Sequence, residues 1–89
     1  MSDRDLMAFT KSYVEFHRIR AQYEPVLRRV RDPQDKWKIE REALAKFGKA
    51  VEKHGLTLER YASIFATINA DEILRERVLR LIEADKIQA

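Results

Sequence analysis

Arg18, Arg20, Arg28, Arg29, Arg31, Lys36, Lys38 and Arg41 crowd one stretch of the sequence, with Trp37 and Tyr23 among them. Cations beside an aromatic ring are the equipment for gripping a polyanion: Lys and Arg neutralise phosphates, and a ring stacks on a base. A structural reading competes for the same residues. Arg is favoured near a helix C-terminus by the macrodipole, and Glu24–Arg28, Glu42–Lys46 and Glu76–Arg80 stand four apart, the spacing of favourable pairs on one helix. Asp32, Asp35 and Glu40 dilute the cluster further. The excess of 18 Lys and Arg over 15 Asp and Glu gives a net charge of +3 and a pI near 9.4. Charge of that size is a weak functional signal, so a solvated basic surface outweighs nucleic-acid binding, which stays as an alternative.

Metal and acid–base chemistry find less to work with. His17 and His54 are the only histidines, 37 positions apart, and the chain has no Cys. No paired-histidine zinc motif, calcium-binding loop or glycine-rich phosphate loop occurs. The carboxylates lie among basic neighbours, which hold them ionised rather than poised for proton transfer. Neither a metal nor a cofactor is expected, and no catalytic residue is assigned. His54 reads as a helix-end residue and His17 as the edge of an apolar stripe.

The elements that carry these residues are helices. Leu6, Phe9, Tyr13, Phe16, Ile19, Tyr23, Val26 and Val30 recur at steps of three and four, which lines one face of a helix from about Asp3 to Arg31. Asp3 and Asp5 suit its positive end, and Arg28, Arg29 and Arg31 its negative end. Pro25 removes a backbone donor and crowds the carbonyl four residues back, so a kink is expected near Ala21–Pro25. Asp32 as N-cap and Pro33 at the first position open a second helix, and Gly55 supplies its left-handed stop after His54. Along it Trp37, Leu44 and Val51 repeat at seven. Thr57 caps a third helix through Leu58, Tyr61, Phe65 and Ile68. Asn69-Ala70-Asp71 then either bends it or starts a fourth through Leu74, Val78, Leu81 and Ile82.

The chain of 89 residues, with two Gly and two Pro, is one helical domain over residues 1–89. So few turn residues exclude a β-sandwich, and the missing Cys excludes a disulfide framework. The fold class is all-α: an antiparallel bundle of two long helices plus a broken or bent third, three to four helices in all. The longest uncharged stretch, Tyr61–Ala70, has ten residues, against about 20 for a membrane span. The N-terminal apolar patch Leu6–Phe9 is shorter than the about 7–15 residues of a secretion signal. The chain as written reads as soluble and cytoplasmic, and a mature form with a removed leader would read the same way. Tyr13, Tyr23, Tyr61 and Trp37 lie on the apolar stripes, where aromatics usually enter the core. Their functional alternative is a groove for a partner helix or an acyl chain, and small cores often gain burial by oligomerising.

Tyr13-Val14, Ile19, Tyr23, Leu27, Asp32-Pro33, Ala50-Val51-Glu52, Gly55-Leu56, Tyr61, Ile64, Asp71, Leu74 and Arg77-Val78 together form a pattern. It resembles a bacterial domain-of-unknown-function family, the one numbered 4168. The likeness runs from about Leu6 to Ile82 and is most specific in AVEKHGLTLERYASI and the NADEIL turn after it. It implies a small helical domain, commonly behind a secretion signal, which leaves a periplasmic location open beside the cytoplasmic reading, and it supplies no activity. This chain differs in lacking that signal and in its richness in Arg and Lys. A weaker likeness, in Arg41-Glu42, Gly55-Leu56 and Phe65, is to the all-helical chorismate mutases. It implies a dicarboxylate held by converging cations, nominally Arg18, Arg28 and Arg41. The spacing before Arg41 departs from that pattern, and the expected lysine and the polar residue near the third helix's end have no counterpart. The residues favour a non-catalytic interaction or structural module whose partner is a protein, itself or another. Its candidate surface is Arg18, Arg28, Arg29, Arg31, Lys36, Trp37, Lys38 and Arg41.

Overall fold

In the computed structural model, which describes residues 1–88, the chain forms four helices and no strand among those residues. They are α1 (Asp3–Arg29), α2 (Pro33–Lys53), α3 (Leu58–Ala70) and α4 (Glu72–Gln88). Helix α1 packs on all three others, and α2 returns antiparallel along it through the short turn at Val30–Asp32.

Local chemistry sets each boundary. The Ser2 hydroxyl accepts from the Asp5 amide and opens α1, which runs unbroken through Pro25 to Arg29. Asp32 accepts from the Gln34 amide at 2.9 Å, with Pro33 at the first helical position, where no donor is lost. At the far end of α2 the Leu56 amide donates to the Val51 carbonyl at 2.8 Å and the Gly55 amide to that of Glu52 at 2.9 Å. This Schellman closure needs a left-handed residue, and Gly55 has φ +86°. The Thr57 hydroxyl caps α3 through the Arg60 amide.

The third helix is broken rather than bent. Asp71 leaves helical geometry at φ −128°, ψ 110°, and its carboxylate accepts from the Ile73 amide at 2.9 Å and the Leu74 amide at 3.2 Å. A single Asx cap therefore ends one helix and starts the next with no help from Gly or Pro.

The core occupies one end of the molecule. Leu6, Phe9, Phe47, Val51, Leu56, Ile64, Ile68 and Val78 form it, drawn from the first half of α1, the second half of α2, the α2–α3 turn, and α3 and α4. Burying side chains of this kind stabilises by roughly 1.5–3 kcal/mol each. Thr10 and Ser12 are also buried, and each hydroxyl donates to the carbonyl four residues back at 2.8 Å, so neither burial leaves a polar atom orphaned. Asp5–Arg60 at 2.9 Å and Asp3–Arg77 at 2.6 Å tie the start of α1 to α3 and α4.

Candidate interaction surface

Beyond this core the second half of α1 and the first half of α2 continue as a two-helix arm. One stripe of α2 shows the change: Val51 is 0% exposed, Leu44 is 59% exposed and Trp37 is 57% exposed. The same stripe of α1 passes from Leu6, fully buried, to Phe16 at 37% and Val26 at 45%. The expectation that stripe aromatics enter the core therefore holds for Tyr61, half-buried against Phe9 and Phe47, and fails for Trp37. Seven-residue periodicity set the face of Trp37 correctly, but α3 and α4 do not cover that part of α2.

Between the arm's helices lies an open groove of about 430 Å³. Its floor is Phe16, Ile19, Tyr23, Leu27, Ala43, Leu44 and Phe47, and Arg20, Glu24 and Glu40 are its charged members. Among the described residues, none of α3 or α4 lines it. Phe16 and Phe47, whose rings meet edge to face with centroids 5.1 Å apart, also wall a second hollow with Tyr13, His17, Tyr61 and Phe65. The two hollows thus share the Phe16–Phe47 wall, one on the arm and one at the aromatic edge of the core. A third groove, between α1 and α4, includes Val14, Ala21, Leu79 and Ile82.

The basic residues singled out from sequence divide between two places. Arg28, Arg29, Arg31, Lys36 and Lys38 are exposed around the α1–α2 turn at the tip of the arm. Arg18 stands on α1 beside the α1–α4 groove, ten residues and so ~15 Å along the helix from Arg28. Local partners engage two of the set. Arg28 binds Glu24 at 3.1 Å, as the spacing of four predicts, and the Arg41 guanidinium lies over the Trp37 ring, 4.7 Å from its centroid. Arg18, Arg28 and Arg41 line no common groove among those described. Lys46 is placed over Tyr23 at 5.0 Å from the ring centroid, and contact with Tyr23, aided by Glu42, raises its pKa.

Both histidines have structural contacts. His17 packs edge-on against Tyr13 and Phe16. His54, the C-cap of α2, shares a 2.8 Å hydrogen bond with Glu15 of α1, and the Lys53 ammonium donates to the same oxygen at 3.3 Å. Burial raises the Glu15 pKa, but the bonds from His54 and Lys53 outweigh it and leave the carboxyl below its ordinary value. Burial pushes the Tyr61 phenol up to about 12. Glu15 escaped the sequence reading because its partners lie almost 40 residues away, with no local spacing to announce them. The sequence does offer a groove as the alternative for Tyr13, Tyr23, Tyr61 and Trp37, but of these Tyr23 alone lines the arm groove, beside Phe16 and Ile19 of its own stripe.

No curated protein and no solved structure matches the chain. One family model does, over residues 2–78, a span that contains the whole arm, the core of α1–α3 and the first part of α4. The chain belongs to the family described as Domain of unknown function (DUF4168).

Proposed function

We propose that this protein is a non-catalytic interaction module that works through the apolar groove of its α1–α2 arm. The observation that carries the reading is the stripe shared by Val51, Leu44 and Trp37, which passes from complete burial to more than half exposure along one helix face. A monomer gains nothing by exposing large apolar side chains in a row, and such rows on soluble domains are docking surfaces. Polar side chains elsewhere support the same reading. His54 and Glu15 fasten α1 to α2, Arg28 is held by Glu24, and Arg41 is laid on Trp37. These are the contacts of a scaffold.

The groove can be tested with anilinonaphthalene sulfonate, a dye that fluoresces on entering apolar clefts. The folded protein should enhance its emission, and Leu27→Glu should remove most of that enhancement while far-UV circular dichroism stays unchanged. Leu27 lines the groove floor and Glu there places a charge in it. The measurement is made at concentrations low enough to keep the chain monomeric, and no enhancement by the folded wild-type monomer would overturn the reading. Binding of polyanionic DNA that weakens log-linearly with salt, lost on changing Arg29 and Arg31, would replace it with the nucleic-acid alternative.

A further inference from the structure

We infer that the occupant of the arm groove is a second copy of this chain, the two arms packing face to face about a two-fold axis to complete a four-helix bundle; this rests on the arm being a docking surface.

The area argument comes first. The chain exposes 6760 Å². Surface scaling gives ~5,500 Å² for a compact monomer of 10.6 kDa. The excess is ~1,300 Å², more than the ~800 Å² that each partner contributes to a standard stable interface. Shape agrees: the radius of gyration is 14.5 Å, against ~12 Å for a compact chain of this length. The arm is where apolar stripes of both long helices lie open together.

The form of the surface selects the occupant. Two antiparallel helices with a shared apolar face are half of an up-and-down four-helix bundle, and the missing half has the same shape. A two-fold interface requires one patch to complement itself. The groove is compatible with that condition, because its charged members carry both signs: Arg20 and Glu24 on the α1 wall and Glu40 on the α2 wall. A wholly acidic partner would meet Glu24 and Glu40 with like charge, whereas a rotated copy brings an Arg20 that can face a carboxylate of the other wall. The apolar members, Leu27 and Leu44 among them, are of the aliphatic and aromatic types that interdigitate in bundle cores.

Sedimentation equilibrium on the full chain, from nanomolar to high micromolar, tests this with three proteins. Wild type should move from 10.6 kDa toward twice that mass with rising concentration. Leu44→Glu should weaken association by at least about a hundredfold, because each copy would place a charge at a central contact. Leu44 is 59% exposed, so folding should survive, and far-UV circular dichroism checks it. Leu79→Glu, at an equally exposed leucine on the α4 groove, should leave association intact. A wild type that stays monomeric at every concentration would overturn the second-copy assignment, while dye binding to that monomer would leave the groove reading standing. Association that resists Leu44→Glu, or that Leu79→Glu abolishes equally, would place the contact elsewhere and overturn it too.

Discussion

Glu15 is where one side chain does most to join distant parts of the chain. Its oxygen accepts from His54 at 2.8 Å and from Lys53 at 3.3 Å, fastening the middle of α1 to the end of α2. Because folding lowers its pKa, its contribution is present above the unfolded carboxylate value and is lost as pH falls through the folded one. Glu15→Gln should cost about 1 kcal/mol near neutrality, given that Lys53 is largely solvated, and the difference from wild type should vanish in acid. Thermal melts at neutral and acidic pH read this directly, and an equal deficit at both would sink the ion-pair account. Tyr61 has the opposite sign. Its phenol is raised from 10.0 to about 12 by burial against Phe9 and Phe47. The stability it supplies is complete below pH 10.0 and lost as pH climbs toward about 12, so Tyr61→Phe should flatten the alkaline limb of the stability curve.

At the level of elements, ends were more legible than interiors. Asp32, Pro33, Gly55, Thr57 and Asp71 each act over a few residues of backbone, so their chemistry is written locally and every one holds the boundary its type implies. Gly55 offers the sharpest test, because no atom would crowd a side chain there and only its φ of +86° resists one. Gly55→Ala should therefore cost about 1–2 kcal/mol, from the left-handed conformation alone. Gly55→Asn should cost less, since Asn tolerates that region. A shift in melting temperature of roughly 4–8 °C per kcal/mol makes both measurable in a domain of this size. Asp71 settles what periodicity left open. A bent and a broken helix share the same apolar spacing, and only the two amides that its carboxylate captures distinguish them. Asp71→Ala removes both bonds and should cost about 1 kcal/mol. The pairs Asp5–Arg60 and Asp3–Arg77 had no such local signature. They depend on where α3 and α4 come to rest against α1, which no window of sequence contains.

For the molecule as a whole, sequence periodicity identifies which face of a helix is apolar but not how far a neighbouring helix covers it. Trp37, Leu44 and Val51 share one stripe, and α3 ends its coverage of α2 between Val51 and Leu44. The consequence is thermodynamic as well as geometric. If the open stretch is closed by a second copy, the folded state is a dimer and unfolding releases two chains, so stability must depend on concentration. The wild-type melting temperature should rise steadily as protein concentration is raised, and Trp37 emission should shift to the blue over the same range as its half-exposed ring leaves water. The change should saturate once most chains are paired. Leu44→Glu should abolish the concentration dependence while keeping the cooperative melt of a helical domain, because the core of Leu6, Phe9, Val51 and Ile64 does not include the arm. A wild-type melt independent of concentration, with a tryptophan spectrum that never moves, would mean that the arm stands open between copies. The exposed stripe would then require a different protein to cover it.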